Sequence, residues 1–238
     1  MAEAAYAAKW REFIKHVGFT VRPRDAAAWQ AIVKNSDAEA RELLAWLPAK
    51  LKAYTPAVRA ILPLLDSNSI FLDFGGNCGL IGWHLHDRVA EYHLMDISPD
   101  ALEMAQGIVL REQPNCFFHL SNGEDLANLT DASYTFVYAK AVIQHLPRRL
   151  VLTYLREFCR VLRPGCMLYF TNVFESFGEK VAPSSEEVSW HVREIPITEL
   201  HQMLDAAGFE LTGIDLSCDL RPGGAMSGWV KAVKRALR

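Results

Sequence analysis

Ten residues constrain this chain most: Ile70 to Gly79, IFLDFGGNCG, where an apolar run ends on acidic Asp73 and Phe74 and enters a glycine cluster ahead of a helical pattern. The order strand, acid, glycines, helix is a nucleotide-site geometry. Glycines let the backbone approach a ligand with no Cβ in the way, and the start of the next helix offers N–H groups that lack intrahelical partners. Two common versions of such a turn are excluded by the letters. G-x-G-x-x-G fits no register of GGNCGLIG, because from Gly75 it meets Asn77 and Leu80 and from Gly76 it meets Cys78. A P-loop is excluded because no Gly-Lys-Ser/Thr follows. Taken alone, Gly75, Gly76 and Gly79 also fit a tight turn with no ligand.

Beyond the turn, short apolar runs alternate with amphipathic stretches. The runs Ile70 to Phe74, Tyr92 to Met95, Phe117 to Leu120, Phe136 to Ala139, Met167 to Thr171, Leu211 to Leu216 and Trp229 to Val233 read as buried strands. Helices are expected at Leu80 to His86, Pro99 to Leu110, Arg149 to Leu162 and Thr198 to Ala207, the second opening with Ser98 as N-cap and Pro99 in its first turn. This βαβ rhythm implies a doubly wound α/β sheet with ligands beyond the carboxyl ends of its strands. Before it, residues 1–66 carry only helical patterning: Tyr6, Trp10, Phe13 and Val17 recur on one face, and Ser36 with Glu39 fits a capping box. The expected organisation is a helical lid over residues 1–66 ahead of a core over residues 67–238.

Composition narrows the partners. A chain of 238 residues, half of them hydrophobic, supports one sizeable core with an appendage rather than two full domains. Its formal charge of -3 argues against a broad basic face for a polynucleotide. Five scattered cysteines, Cys78, Cys116, Cys159, Cys166 and Cys218, show no metal-ligand spacing, so no metal is expected and they read as reduced, mostly buried thiols. With neither an apolar signal core nor a run of membrane length, no membrane association is expected and a cytoplasmic location is. The cations near the end, Lys231, Lys234, Arg235 and Arg238, read as a solvated edge.

The ordered motifs resemble those of the class I S-adenosylmethionine (SAM)-dependent methyltransferases. Asp73-Phe74-Gly75-Gly76-Asn77-Cys78-Gly79 stands where that family has Asp/Glu-x-Gly-x-Gly-x-Gly, with Asn77 in place of the middle glycine. Asn is the non-glycine residue best suited to positive φ, so the turn survives the exchange. The strand EYHLMD ends at Asp96 and runs into Ile97-Ser98-Pro99, similar to the family's Asp-Ile-Ser-Pro, whose acid holds the ribose. A strand-end carboxylate can accept both ribose hydroxyls, and its removal is expected to cost affinity rather than fold. Ser121-Asn122-Gly123-Glu124-Asp125-Leu126 occupies the place of Gly-Asp-Ala-x-x-Leu, which contacts adenine; the Asn122 oxygen can accept from the adenine amino group, although Asn-Gly also makes a turn unaided. Ser133-Tyr134-Thr135, Val161 to Cys166 and Ala206-Ala207-Gly208-Phe209 continue the succession in order.

The resemblance implies a Rossmann-like, seven-stranded, mainly parallel sheet with an antiparallel last strand. It implies SAM as cofactor, held by Asp73, Gly75, Gly76, Asn77, Gly79, Asp96, Ile97, Asn122, Gly123, Glu124, Ala139 and Lys140, with S-adenosylhomocysteine (SAH) as product. His145, in the loop after the fourth strand, is the candidate general base, since imidazole titrates near neutrality; a histidine packed at a helix start is the plain alternative. Tyr6, Trp10, Gln144, Trp190 and His191 are candidate substrate contacts, against core packing for the aromatics. The expected reaction is methyl transfer to an O or N nucleophile of a small molecule, ahead of C or S. Methylation of a protein or RNA, or SAM binding without methyl transfer, are the alternatives. A homodimer is left open.

Overall fold

The computed structural model describes residues 51–174, 192–220 and 226–236. Most of the expected lid, with Tyr6 and Trp10, lies outside the described residues, as do Trp190, His191 and Arg238. Seven strands form one sheet in the order β3-β2-β1-β4-β5-β7-β6. They are β1 (Ile70–Phe74), β2 (Glu91–Asp96), β3 (Cys116–Leu120), β4 (Tyr134–Ala139), β5 (Leu162–Phe174), β6 (Phe209–Leu220) and β7 (Met226–Lys234). The pairs β1/β2, β2/β3 and β4/β5 are parallel, while β7 runs antiparallel to β5 and β6, as the motifs imply. The described residues divide into two compact units, one up to Ser121 and one from Asn122 onward.

In the first unit, residues 51–61 are helical and bury Ala57, Val58 and Ile61. Helix α1 (Leu80–Leu85) follows the glycine turn, and α2 (Pro99–Met104) follows β2. Ser98 caps α2 as its letters predict, accepting from the Ala101 N–H at 3.3 Å, with Pro99 in the first turn. The expected single helix to Leu110 instead widens into a π-turn over Ala105–Val109, closed by the Leu110 N–H on the Ala105 carbonyl. Such bulges add one residue to the ring, and residue periodicity does not announce them.

In the second unit, α3 (Arg148–Val161) buries Leu150, Val151, Tyr154, Leu155, Phe158 and Val161, the three-to-four spacing that puts one stripe on a sheet. Helix α4 (Ile197–Ala207) stops at Gly208, whose φ of 93° is a left-handed cap, and β6 starts at the next residue. The terminal cations are not a bare solvated edge. Lys231 pairs with Asp215 at 2.6 Å, Lys234 donates to the Leu162 carbonyl at 2.7 Å, and Arg235 pairs with Asp205. Of the cysteines whose burial is described only Cys78 is buried, and Cys116, Cys159 and Cys166 are half-buried free thiols. No helix among the described residues is long and apolar enough to cross a membrane. No group of three or more His, Cys, Asp or Glu among them could hold a metal ion.

One polar chain crosses the β2/β3 pair. His93 lies 2.9 Å from His119 through Nδ1 and 2.8 Å from Glu91 through Nε2, stacked on Phe117 at 4.7 Å. Burial pushes the His119 imidazole down to about 4, reinforced by the neighbouring His93. It also lowers His93, against the opposing pull of Glu91. A base whose folded pKa is depressed contributes stability above its unfolded pKa, near 6.5, and loses it as the pH falls toward the folded value. Thermal stability is therefore expected to fall between about pH 6.5 and 4, and His119→Phe to flatten that slope; an unaltered slope in the variant would remove the pair as its source.

Candidate functional site

The glycine turn is built on β1 and laced to the end of β2. The N–H groups of Gly75 and Gly76 donate to the Met95 carbonyl at 2.8 and 3.3 Å. Gly75, Asn77 and Gly79 all adopt positive φ, at 70°, 54° and 77°. Asn77 thus takes the left-handed conformation that its residue type tolerates, and its Oδ1 accepts from the Cys78 N–H at 2.7 Å. A Cβ on Gly76 would overlap Asp73 Oδ2 and Leu94 Cδ1, well inside van der Waals contact, so this position admits no side chain.

The two acids play different parts. Asp73 is buried, and its carboxylate accepts from the Tyr92 hydroxyl, so it braces the floor of the turn. Asp96 is buried at the tip of β2; Oδ2 accepts from the Asn77 N–H at 2.8 Å and Oδ1 from the Ser98 N–H at 2.9 Å. Burial pushes its carboxyl above the ordinary carboxylate range, opposed by the N–H groups of Ser98, Asn77 and Ile97. A carboxylate offers about four lone-pair sites, so acceptor capacity remains for hydroxyls. Tyr54, on the helix over 51–61, belongs to the same neighbourhood: its hydroxyl is pushed up to about 12 by burial and then by Cys78 and Asp73. That helix is tied to α1 by the His84 ring on the Leu51 carbonyl at 3.0 Å.

In the second unit, Asn122 is exposed and its oxygen accepts from the N–H groups of Glu124 and Asp125 at 2.8 and 3.1 Å. Both lone pairs of that oxygen are thereby engaged within the turn, where Gly123 has a φ of 83°. The segment beyond is stapled to α3. Arg160 donates to the carbonyls of Leu126 and Leu129 and to Glu157 and Asp131, and Glu157 accepts from the Leu126 N–H. Hydrogen bonding to Arg160 holds the Glu157 carboxyl below the usual carboxylate range against its partial burial. Arg160→Ala strands two carbonyls and a carboxylate and is expected to cost about 1–3 kcal/mol, with loss of protection in hydrogen exchange over residues 126–131; wild-type protection there would refute the staple.

After β4, Ala139 is buried and Lys140 half-buried, and the chain turns at Ala141, whose φ is 57°. The Ala141 N–H donates to Thr171 Oγ1 at 2.6 Å. A 3₁₀ turn over Ile143–His145 then carries Gln144 and His145, their ring and amide nitrogens 3.5 Å apart. Arg193 reaches this turn from 48 residues away, its N–H on the Gln144 carbonyl and its guanidinium on the His145 carbonyl, both at 2.7 Å.

Of the residues singled out from the sequence, Asp73, Gly75, Gly76, Asn77, Gly79, Asp96 and Ile97 come together around one turn, whereas Asn122, Gly123 and Glu124 form a local turn in the other unit, and Ala139, Lys140, Gln144 and His145 lie at and after the end of β4 in that unit. No sequence signal marks Tyr54, Tyr92, Arg160 or Arg193, since each acts across a large sequence separation without a motif.

Residues 71–165 match the family model of a methyltransferase domain. Solved structures share the fold. The [4+2]-cyclase SpnF superposes with a TM-score of 0.64 at 16% identity, covering 78% of this chain and 83% of that one. A SAM-dependent methyltransferase from Aquifex aeolicus gives 0.56 at 19% identity over 78% and 97%. Haemonchus contortus phosphoethanolamine N-methyltransferase 2, in complex with phosphomonomethylethanolamine and SAH, gives 0.60 at 14% identity over 76% and 53%. No sequence among the curated proteins matches the chain.

Proposed function

We propose that this chain, whose residues 71–165 match a methyltransferase domain, moves the methyl group of SAM to an oxygen or nitrogen of a small molecule. The observation that carries the reading is the Asp96 carboxylate at the tip of β2, bonded to the backbone of the glycine turn at Asn77. A ribose is recognised by its paired hydroxyls, and Asp96 supplies the acceptors for them, with Ile97 beside it. Gly75, Gly76 and Gly79 bring no side chain toward the rest of the adenosyl and methionine portions, and Asn77 folds its amide oxygen back onto the Cys78 N–H. Gly123 and Glu124 contact the adenine on the turn that Asn122 holds, and Ala139 with Lys140 follows at the end of β4. The formal charge of -3 favours a small substrate over a polynucleotide. That fits a cytoplasmic enzyme of small-molecule metabolism. A homodimer is compatible with it.

When bound, SAM would supply an electrophilic sulfonium methyl with a neutral thioether as its leaving group. The chain's residues align acceptor and cofactor, a contribution worth about 7–11 kcal/mol in well-oriented systems. His145 takes the proton that the acceptor O–H or N–H releases, with Gln144 next to it against the acceptor. The test is transfer of labelled methyl from SAM into fractionated small-molecule extracts. Wild type is expected to label a discrete fraction, and His145→Gln to do so roughly 100-fold more slowly or worse while binding SAH normally. Equal rates would remove His145 as the base, and saturable binding without labelling of any fraction would leave a SAM-binding protein that is not a small-molecule methyltransferase.

A further inference from the structure

The turn that carries His145 has little stability of its own. It spans three residues, closed by the His145 N–H on Val142 and the Leu146 N–H on Ile143 at 2.9 and 3.1 Å, and such 3₁₀ bonds are poorly aligned. It is entered through Ala141 in the left-handed region, which strains a residue that carries a Cβ. Two outside contacts offset this. Thr171 Oγ1 accepts from the Ala141 N–H at the entry, and Arg193 grips the exit.

The manner of that grip matters. Arg193 donates its backbone N–H to the Gln144 carbonyl and its guanidinium to the His145 carbonyl, each at 2.7 Å. These carbonyls belong to the two peptide planes that flank the His145 Cα. Since peptide planes are rigid, holding both restrains φ and ψ of His145 and so the direction in which its Cα–Cβ bond leaves the turn. Arg193 is itself anchored to β5: the Ile195 N–H donates to the Val173 carbonyl at 2.9 Å, and the fully buried Asn172 donates its amide to the Ile195 carbonyl at 3.0 Å.

We propose that Arg193 is a positioning residue for the acceptor side of the site, aiming His145 through the two carbonyls that bracket it, with Asn172 anchoring Arg193's segment to β5. This role rests on the reading of His145 as the base and adds to it the residue that sets its orientation. Arg193→Met removes the guanidinium bond and leaves the backbone donation; Arg193→Lys restores one donor without the planar fork.

The experiment follows the His145 Cε1–H signal by NMR across pH, assigned by its absence in His145→Gln, on the full chain with and without SAH. Arg193→Met is expected to shift this signal and its titration midpoint, Arg193→Lys to give a smaller shift in the same direction, and SAH affinity to stay within about twofold of wild type, as for a site the residue does not touch. A signal and midpoint equal to wild type in folded Arg193→Met overturn the proposal, and if that variant does not fold, a wild-type signal in Arg193→Lys overturns it. If wild type fails to bind SAH, the functional reading falls, and the comparison without SAH still decides the role of Arg193.

Discussion

Asp96→Ala is expected to weaken SAM binding by roughly 100-fold, as two hydrogen bonds from hydroxyls to a charged carboxylate, about 1.5 kcal/mol or more each, are lost together. The letters alone suggest that the fold would be spared, and the structure says otherwise. Asp96 also accepts from Asn77 and Ser98, so alanine leaves both N–H groups unpaired at about 1–3 kcal/mol each, toward the lower end at half-buried Asn77. Thermal shift and calorimetry should both report the change. The buried carboxyl itself is pushed up by burial, and a raised folded pKa contributes stability at low pH that is lost as pH rises through it. Asp96→Asn removes that cost of ionisation and keeps one acceptor oxygen. It should therefore lose less stability than alanine while binding SAM nearly as poorly; full affinity in the asparagine variant would discard the ribose role.

Gly76→Ala is expected to be as damaging for a steric reason. Its Cβ would overlap Oδ2 and Cγ of Asp73, a carboxylate that Tyr92 already holds. The neighbour cannot give way by swinging a free end, so the turn must move. Overpacking of this kind costs about 1–3 kcal/mol, and displacement of a positioning backbone by about 1 Å costs roughly 100-fold in turnover. A melting temperature several degrees lower with barely detectable methyl transfer is expected, and an active variant of normal stability would contradict this close packing of the turn. Gly165, whose added Cβ would meet nothing within 4 Å, is the control for a glycine that only needs positive φ.

The features legible in the sequence are those that local letters control. Seven strands fell where apolar runs marked them, although only the central strands β1, β2, β4 and β5 are largely buried; β3 at the sheet edge leaves Phe117 and Leu120 exposed, and the run in β6 leaves Leu216 exposed. Ser98 and Gly208 began and ended elements through capping chemistry that acts within a few residues. Asn77 stands where the resembled motif has a glycine and adopts positive φ, because its short polar side chain tolerates the left-handed region. Long-range bonding was not legible. Nothing in the letters tells that Tyr92 braces Asp73, that Arg160 staples residues 126–131, or that Arg193 clasps His145, since each partner is fixed only once the sheet has formed. The Asn122 oxygen shows the same limit in reverse: its residue type suited a ligand contact, and the folded turn uses it for its own N–H groups.

If the turn after β1 and the carboxylate at the tip of β2 hold an adenosyl group, isothermal calorimetry of the wild-type chain titrated with SAH will give a saturating one-site isotherm. In Asp96→Asn that isotherm is expected to weaken by about two orders of magnitude. A titration of folded protein that shows neither heat nor saturation, or one that is the same in both proteins, would contradict this assignment.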